Sequence, residues 1–428
     1  MTLRATPVVL VTGPKDSGKT TLVTELIRHL GRAGLIVLAL KRATEVAGVD
    51  EPGTDTARFA AAGAAVIGLT WPGGTYVAAV PPKPTAPEAV IEPGERPPAR
   101  VRRLARPSAL EELVDLALET APLGERPGLV IAEGFSDTPY PRLHVLPCAG
   151  GAWRAAGGPV LSTWRLTARA PSGGPPTGSP SPGTAGLARL IEARLPLLAG
   201  WAGAVGSGRR SVPIRQDGPA VVAAVLTGGQ GRRLGGADKW RLEVGGLPQS
   251  RRCLGVLEEV FDRVLVVGRG PAGGDRAEAL ADIVPGAGPL GGILTALTAA
   301  GSRAVFVFAG DMPFLSRAFI RHMLFQAWLS QGDFDVLLPR WGSYIEPLHA
   351  LYAPPVLGHL QGLIARWGGP AGRRITELYD GLRVREVPES DIRLFGDPEI
   401  LFLNLNTPGD LTRARAVARA APPGATSR

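Results

Sequence analysis

Two glycine-rich segments carry many of the residues in this chain whose types and spacing suit phosphate chemistry. The first, GPKDSGKT at residues 13–20, has the spacing of a P-loop and lies between an apolar run and a helical pattern. Its glycines let backbone N–H groups turn toward phosphates, Lys19 would reach the β- and γ-phosphates, and Thr20 would bind Mg²⁺. The predicted P-loop residues are Gly13, Pro14, Lys15, Asp16, Ser17, Gly18, Lys19, Thr20 and Thr21.

The second segment, LTGGQGRRLGGADK at residues 226–239, also follows an apolar run but fits neither common phosphate-binding pattern. It lacks the P-loop ending and is too long for one. No acidic residue ends the next apolar run, RVLVVG, so it is also a poor dinucleotide fingerprint. The segment still gathers five glycines, two adjacent arginines and Lys239, a composition that suits an anionic ligand.

The scarcity of lysine and asparagine marks further candidates. Lysine occurs at five positions, so 42 of the 47 basic residues are arginine, and asparagine occurs only as Asn404 and Asn406. Arginine cannot reproduce the compact, rotatable ammonium group of lysine. Lys19, Lys41, Lys239 and both asparagines are therefore better candidates for chemistry than an average polar residue.

Two carboxylates stand at the ends of apolar runs that read as buried strands. Glu133 follows GLVIA, and Asp311 follows AVFVFAG. The carboxyl edge of a parallel sheet is where such folds bind ligands, and carboxylates suit Mg²⁺ that also binds phosphates. Asp311 could instead cap a helix, although a functional role is favoured. Both carboxylates are therefore candidate functional residues.

Strand and helix patterns alternate along both halves of the chain, and each strand is almost wholly apolar. This alternation predicts an α/β fold with parallel sheets covered on both faces, in two different three-layer domains. The segment SALEELVDLALE reads as a helix capped by Ser108. The predicted divisions are a P-loop domain at 1–203, a linker at 204–219, a second domain at 220–420, and a tail at 421–428. Within the P-loop domain, residues at about 80–106 are a Pro-rich surface insertion and residues 170–186 are a linker-like stretch.

Composition narrows the class of partner. The chain of 428 residues has a formal net charge of +9 and a sequence pI of about 10.1, but its arginines are scattered, which favours phosphorylated small molecules over nucleic acid. Cys148 and Cys253 lack metal-ligand spacing, which argues for a reducing cytosol. No stretch approaches the roughly 20 apolar residues of a membrane helix. We therefore expect a cytoplasmic protein that binds neither membrane nor nucleic acid.

Residues 5–135 resemble the accessory GTP-binding protein of molybdopterin-guanine dinucleotide biosynthesis. The resemblance rests on the P-loop and on KRATEVAGVDEPGTDTARFAAAGA and LVIAEGF. It implies a P-loop NTPase fold and contacts near the nucleotide, although two of the acids could be turn or cap residues. RATE replaces a histidine-rich stretch and Ser136 stands where lysine is usual, so the resemblance implies slow GTP hydrolysis. The matching positions are Lys41, Asp50, Pro52, Gly53, Asp55 and Glu133.

The segment at 226–239 resembles the LAGGxSxRMGxDK signature of molybdenum cofactor guanylyltransferase. The resemblance continues through LADIVPGAGPLGG, FAGDMPFL, YIEPLHALY and FLNLNTPGDL, and it implies a Rossmann-like nucleotidyltransferase fold. By this resemblance Arg233 and Lys239 would neutralise the triphosphate, and the catalytic residues would be Lys239, Arg233 and Asp311. The implied GTP-binding residues are Leu226, Thr227, Gly228, Gly229, Lys239, Asp282 and Asp311, with the Gly288–Gly292 turn as a further candidate for guanosine contacts.

Of these segments, YIEPLHALY resembles the one that faces the pterin substrate in this family, and FLNLNTPGDL resembles the family's closing Asn-x-Asn-Thr-Pro motif. They imply that Glu346, Asn404 and Asn406 bind molybdopterin. Glu346 with His349 could instead be a partly exposed strand pair, and the asparagines could be turn formers before Thr-Pro. The family's usual asparagine near the end of the RVLVVG strand is absent, with Val267 or Gly268 there instead, which implies the loss of one ribose or base contact.

Together the resemblances imply that GMP moves from GTP to Mo-molybdopterin with release of pyrophosphate. They imply Mg²⁺ as cofactor, with Asp311, Thr20 and Glu133 as the predicted metal ligands. They also imply apo-molybdoenzymes or their chaperones as partners, and a possible homodimer through the P-loop domain. Two alternatives remain at this point. One is a related cytidylyltransferase or sugar-nucleotide pyrophosphorylase, and the other is a non-catalytic GTP-dependent adaptor that delivers cofactor.

Overall fold

A computed structural model of the chain divides into two compact units, residues 1–207 and 208–428. Each unit is described separately. The structure describes residues 6–44, 53–80, 101–121, 128–138, 140–146, 160–165, 182–206, 220–228, 238–268 and 273–420. The domain limits proposed from the sequence fall near this division and remain predictions, since residues 207–219 lie outside these ranges.

The first unit is built on one sheet. Its strands are β1 (Val8–Thr12), β2 (Ile36–Arg42), β3 (Val66–Trp71), β4 (Gly74–Ala79), β5 (Val101–Leu104), β6 (Gly128–Glu133), β7 (Arg142–Leu146) and β8 (Val160–Arg165). Within the described residues their order is β5-β4-β3-β2-β6-β1-β7-β8. The helices are α1 (Lys19–Arg32), α2 (Asp55–Ala62), α3 (Leu110–Thr120) and α4 (Pro182–Gly206).

Both faces of this sheet are covered. Leu10, Leu38 and Val130 lie in one core cluster with Leu113 of α3. The alternate strand residue Ile131 is also fully buried, and because side chains alternate along a strand it faces the other layer, to which α1 belongs. The three-layer α/β arrangement predicted from the apolar strand pattern is confirmed.

Several local predictions in this unit are wrong. The sheet is not wholly parallel, because β3 and β4 are joined by the two residues Pro72–Gly73 and must pair antiparallel, as β4 and β5 also do. Residues 101–104, placed in a surface loop, form β5, and residues 182–186, placed in a linker, begin α4. The strands β7 and β8 were not predicted.

Ser108 does not cap α3. Its side chain is buried, its backbone N–H donates to Thr70 Oγ1 at 2.9 Å, and its hydroxyl accepts from Thr75 at 3.0 Å. The helix therefore begins one residue later than expected, with Ala109 at its cap. Alanine has no side-chain acceptor, so the free N–H groups at the start of this helix receive no side-chain cap.

The second unit contains a larger sheet and a short hairpin. Its strands are β9 (Val222–Leu226), β10 (Glu243–Val244), β11 (Leu247–Pro248), β12 (Val264–Val267), β13 (Ala277–Leu280), β14 (Val305–Ala309), β15 (Val336–Trp341), β16 (Tyr344–Ile345), β17 (His349–Tyr352) and β18 (Val384–Val387). Among the described residues the sheet order is β13-β12-β9-β14-β17-β15-β16, and β18 pairs with β15. The hairpin is β10–β11.

Helices cover both faces of the second sheet as well. They are α5 (Gln249–Glu258), α6 (Gly288–Ala300), α7 (Arg317–Leu329), α8 (Val356–Trp367), α9 (Glu389–Ile392), α10 (Pro398–Leu401) and α11 (Pro408–Ala420), with 3₁₀ turns at Lys239–Arg241 and Ile375–Tyr379. Val305 and Val307 pack in the cluster that contains residues of α6 and α8. Phe306 and Phe308 point the other way, where the ring of Phe319 from α7 lies beside His349.

The prediction of a parallel sheet holds for half of this unit. Strands β13, β12, β9 and β14 are parallel, whereas β17 is antiparallel to both β14 and β15. The reason is again a short connection, since Gly342 and Ser343 join β15 to the antiparallel β16.

Of the described helices, none has the length and apolar content needed to cross a membrane.

Candidate functional site

The first unit carries a phosphate-binding loop between β1 and α1. The loop starts at Gly13, whose φ of 152° lies in a region that favours glycine, and a Cβ there would approach the Val145 carbonyl to 2.5 Å. Asp16 and Gly18 also have positive φ, at 60° and 95°. This backbone turns the loop into the start of α1, where unpaired N–H groups favour an anion.

The side chains of the loop divide into buried and exposed groups. Ser17 is buried, and its hydroxyl has no hydrogen-bond partner among the described residues. Lys19 donates to the Pro14 carbonyl, and burial lowers the pKa of its ammonium group. The other loop side chains, Lys15, Asp16 and Thr21, are exposed. A buried hydroxyl and a lysine folded onto its own loop are suited to regroup around a phosphate.

Glu133 ends the neighbouring strand and faces the loop. Its carboxylate accepts from the Thr20 hydroxyl at 3.1 Å and from Lys41 at 3.3 Å, and Lys41 also pairs with Asp55. Burial alone would lower the pKa of Lys41, but the charges of Glu133 and Asp55 outweigh it and raise that pKa. Four residues singled out from the sequence therefore meet beside the P-loop, with Gly53 just before α2. Asp50 and Pro52 lie outside the described residues.

The second unit contains a cavity of about 450 Å³ at the carboxyl edge of its parallel strands. Lys239, Asp282 and Asp311 contribute to its walls. The complete lining is Leu226, Thr227, Gly228, Asp238, Lys239, Trp240, Val267, Gly268, Asp282, Gly286, Gly288, Pro289, Gly292, Ala309, Gly310, Asp311 and Leu348. Gly229 and Arg233, the remaining residues predicted for this site, lie outside the described part of the chain.

Lys239 and Asp311 form the charged centre of this cavity. Lys239 Nζ is 2.8 Å from Asp311 Oδ2 and donates to Asn406 Oδ1 at 2.6 Å. Asp311 follows β14, and its backbone carbonyl accepts from Leu405 N–H at 2.9 Å. Residues from three distant parts of the sequence thus meet at one point, because the segment after α10 crosses the strand end that carries Asp311.

Gln249 and Asp238, which hold this centre in place, were not among the residues predicted from the sequence. Gln249, fully buried at the start of α5, donates to the carbonyls of Gly310 and Met312 at 3.2 and 2.7 Å. Asp238 accepts from Trp240 N–H at 3.1 Å and caps the turn that begins at Lys239. A polar residue opening a helix gave a faint signal for Gln249, and nothing local pointed to Asp311 as its neighbour.

The glycine loop of the second unit starts beside β12. Thr227 donates through both its N–H and its hydroxyl to the Val267 carbonyl, at 2.8 and 3.0 Å. Gly268 has a φ of 117°, and a Cβ there would lie 3.0 Å from Thr227 Oγ1 and 3.1 Å from Gly228 N. A side chain at position 268 would therefore be strained in this backbone conformation.

Two further carboxylates flank the charged centre. Asp282 follows β13, burial raises its pKa, and its Oδ1 accepts no hydrogen bond from the described residues. Glu346 follows β16, which lies at the opposite end of the strand order from β13. Burial raises the pKa of Glu346 to about 7, and the charge of Asp311 contributes to this rise. By sheet order Asp282 and Glu346 stand on opposite sides of Asp311.

Asn404 and His349 are two further residues that were singled out from the sequence near this site. Asn404 is half-buried and donates to the Phe402 carbonyl at 3.1 Å, two residues before the Lys239 partner Asn406. His349 is buried among aromatic rings, burial lowers its pKa to about 3, and neither ring nitrogen bonds a described residue. The alternative reading of His349 as part of an exposed pair is wrong, because β17 is an interior strand.

The oxygen ligands present fit a magnesium ion in each unit. No group of three or more His, Cys, Asp or Glu side chains among the described residues is arranged to hold a metal alone. Mg²⁺ in nucleotide sites needs only one or two protein oxygens, since phosphates and water supply the rest. Asp311, with Asp282 in the same lining, and Thr20, with Glu133 beside it, offer such oxygens.

Comparison with known proteins agrees with this geometry in both units. Residues 223–382 match the family described as MobA-like NTP transferase domain, and residues 8–88 match molybdopterin guanine dinucleotide synthesis protein B. The class of the second unit is therefore that of the nucleotidyltransferases. The resemblance drawn from the sequence is confirmed for both halves.

Curated relatives give the particular family. A probable molybdenum cofactor guanylyltransferase from Pelotomaculum thermopropionicum is 36% identical over 196 residues, which are 45% of this chain and 91% of that protein. Another from Methanothermobacter thermautotrophicus is 35% identical, covering 44% and 95% of the two chains. The crystal structure of molybdopterin-guanine dinucleotide biosynthesis protein A from Archaeoglobus fulgidus is 29% identical, covers 47% and 100%, and has a TM-score of 0.39. Through its second unit, the chain belongs to the molybdenum cofactor guanylyltransferase family.

Proposed function

We propose that the second unit transfers GMP from GTP to the terminal phosphate of Mo-molybdopterin and releases pyrophosphate. The observation that carries this proposal is the contact between Lys239 and Asp311 in a cavity lined by the glycine loop. One ammonium and one carboxylate then face the same ligand at the carboxyl edge of the sheet. Family membership supplies the identity of the nucleotide and the acceptor.

The chemistry requires positioning and charge compensation more than proton transfer. An oxygen of the acceptor phosphate forms the new bond to the α-phosphorus of GTP, and the bond from that phosphorus to the β-bridging oxygen breaks. The acceptor phosphate is already ionised, so no general base is needed. Lys239 would exchange its contact with Asp311 for phosphate oxygens, neutralise charge as pyrophosphate leaves, and remain oriented by Asn406.

A magnesium ion held by Asp311 would supply further charge neutralisation on the triphosphate. Leu226, Thr227, Gly228 and Gly229 would bring backbone groups to GTP. Asp282 would face its base through the unbonded carboxylate oxygen. Arg233 would add a second cation. The residues proposed for molybdopterin are Asn404, Asn406 and Glu346.

The first unit is proposed to bind GTP through its P-loop, with Mg²⁺ on Thr20 and Glu133. Glu133 is already engaged by Thr20 and Lys41, and Ser136 stands in place of the family's lysine, so we propose slow hydrolysis. Fusion of the units would keep their local concentration high. Delivery to apo-molybdoenzymes or their chaperones, a homodimer through this unit and a cytoplasmic location belong to the same proposal.

Pyrophosphate release tests the reaction directly. The purified chain is incubated with Mo-molybdopterin and with GTP or CTP in turn, and pyrophosphate is measured with the wild type and with Asp311→Asn, which keeps the side-chain size. We expect release with GTP and a loss of about 100-fold or more in the variant, since an amide is a poorer ligand than a carboxylate for the Mg²⁺ that would neutralise the reacting phosphates.

Two outcomes would replace the proposal. Release with CTP alone would make the chain a cytidylyltransferase. An adaptor would release no pyrophosphate with either nucleotide, and its effect on a recipient enzyme would survive Asp311→Asn. Binding of GTP to the P-loop unit is measured separately, so that the two nucleotide sites are not confused.

A further inference from the structure

Three aromatic rings form a stack at the edge of the second unit where β15 turns into β16. The rings of Trp341 and Tyr344 have centroids 5.2 Å apart at 34°, and Trp341 lies 6.4 Å from Phe402 at 26°. Phe402 is buried, Trp341 half-buried and Tyr344 62% exposed. The stack therefore ends in a largely exposed aromatic ring.

Glu346 lies two residues beyond this exposed ring. It is largely withdrawn from water, and its carboxylate is close enough to Asp311 to feel that charge. Within the described residues the cavity beside Lys239 is lined by Asp282 but not by Glu346, Tyr344 or Trp341. The aromatic stack and Glu346 thus form a second candidate binding site, on the side of Asp311 away from Asp282.

The two substrates of the proposed reaction share one recognition edge. Guanine and a pterin both present a 2-amino-4-oxopyrimidine edge, on which two N–H donors point in the same direction. A carboxylate offers two acceptor oxygens that match such a pair. Asp282 and Glu346 could each read one of these edges. Since Asp282 lines the nucleotide cavity, Glu346 remains for the pterin.

The segment between Phe402 and Asn406 connects the nucleotide cavity to the aromatic stack. Phe402 lies under Trp341, Leu405 bonds the backbone of Asp311, and Asn406 bonds Lys239. Four residues extend at most about 14 Å. A molecule lying along this segment would have one end at the reacting centre and a planar end at the aromatic stack, as an acceptor with a phosphate and a fused ring system requires.

On this geometry, and resting on the proposed function, we propose that Tyr344 and Trp341 stack the pterin ring of the acceptor while Glu346 accepts hydrogen bonds from its amino-pyrimidine edge. These residues determine specificity for the acceptor and take no part in bond making. They fix the ring so that its phosphate reaches Lys239 and Asp311.

The test separates the two sources of the shared edge. Initial rates of pyrophosphate release are measured for wild type, Tyr344→Ala, Tyr344→Phe and Glu346→Gln, first varying Mo-molybdopterin and then varying GTP. We expect Tyr344→Ala to raise KM for the pterin by about 5- to 100-fold, the range found when a stacked base loses its aromatic partner. Glu346→Gln should raise it about 10-fold, while Tyr344→Phe stays within about twofold because the ring face is kept. The KM for GTP should not change.

Two results overturn the inference. A rise in KM for GTP instead would show that the stack holds guanine, and unchanged KM values in Tyr344→Ala and Glu346→Gln would show that it holds neither ring. Calorimetric binding of Mo-molybdopterin without GTP gives an independent readout. If the wild type releases no pyrophosphate, the proposed function fails, and the loss or retention of this binding in Tyr344→Ala still decides the inference. Thermal melting of each variant shows that it is folded.

Discussion

At the scale of single residues, Lys239 is the group whose loss should matter most. It is one of five lysines in the chain and contacts both Asp311 and Asn406. Its ammonium can follow charge as it moves onto the leaving pyrophosphate, whereas a guanidinium has a fixed planar shape. In the proposed reaction the same nitrogen atom, which contacts Asp311 in this structure, would contact the phosphates once the nucleotide is bound.

We expect Lys239→Met to lower kcat for pyrophosphate release by about 100-fold or more, because a charge-stabilising donor is removed from the transition state. Arg241→Met is the matched control. Arg241 lies in the same 3₁₀ turn, its side chain is 75% exposed and it pairs only weakly with Asp238 at 3.4 Å. A comparable loss in both variants would mean that the turn, and not the ammonium group, is what the reaction needs.

At the scale of the elements, glycine conformation decides whether the P-loop can form. Gly13 combines a φ of 152° with a close approach to the Val145 carbonyl on β7. Gly31 lies in α1, where a Cβ would have no other atom within 4 Å outside its own helix backbone and chain neighbours. The same substitution at these two glycines should therefore have opposite effects.

Gly13→Ala should abolish GTP binding by the first unit, because the loop must shift away from β7 to fit a Cβ. Gly31→Ala should preserve binding and stabilise this unit by about 0.5–1 kcal/mol, since alanine is the better helix former. Calorimetric titration with GTP and thermal melting measure both effects. Unchanged GTP affinity in Gly13→Ala would mean that this loop does not hold the nucleotide.

The elements that short sequence motifs define could be predicted. These motifs are a P-loop, two glycine-rich turns and carboxylates after apolar runs, and each spans about ten residues. They indicated Lys19, Lys239, Glu133 and Asp311. Strand direction was missed where connections were short, at β4 and at β17. An apolar run looks the same in a parallel and in a buried antiparallel strand, so the pattern alone could not decide.

Long-range partners were the other limit. The resemblance pointed to Asn406, but no spacing shows that its amide oxygen meets Lys239 across 167 residues of sequence. Gln249 and Asp238 escaped notice because their role is to hold backbone and turns near the centre, and such roles follow from tertiary placement. The contacts of Trp341 with Tyr344 and Phe402 likewise depend on the tertiary fold, and no local spacing predicts them.

At the scale of the whole molecule, each unit contains a buried histidine that stays neutral when folded. In the first unit burial, helped by Arg142, lowers the pKa of His144 to about 4. In the second unit burial lowers the pKa of His349 to about 3, and the rings of Phe306, Phe308, Phe319 and Phe402 surround it. An unfolded chain would restore both to about 6.5.

Both units should therefore lose stability as the pH falls below about 6.5, because the unfolded chain then takes up protons that the folded chain refuses. Each histidine contributes a slope of up to about 1.4 kcal/mol per pH unit until its folded pKa is reached. Unfolding followed by calorimetry between pH 7 and pH 4.5 measures the slope. His349→Phe, which suits an aromatic cluster, should flatten it for the second unit alone.

The first unit serves as the internal control for this experiment, since its own histidine is untouched. An unaltered slope in the second unit after His349→Phe would show that other groups govern its response to acid. A flattened slope in both units would mean that they do not unfold independently.

The bond between Lys239 and Asn406 also limits how this activity can be inherited. Its partners come from opposite ends of the second unit, so a gene fragment that encodes the glycine-rich loop alone brings the cation without the amide that orients it. Recombination that cuts within this stretch would separate them. Exchange of gene segments between relatives should preserve the activity only when the recombination point lies outside the stretch from Lys239 to Asn406. The junction between the two units meets this condition.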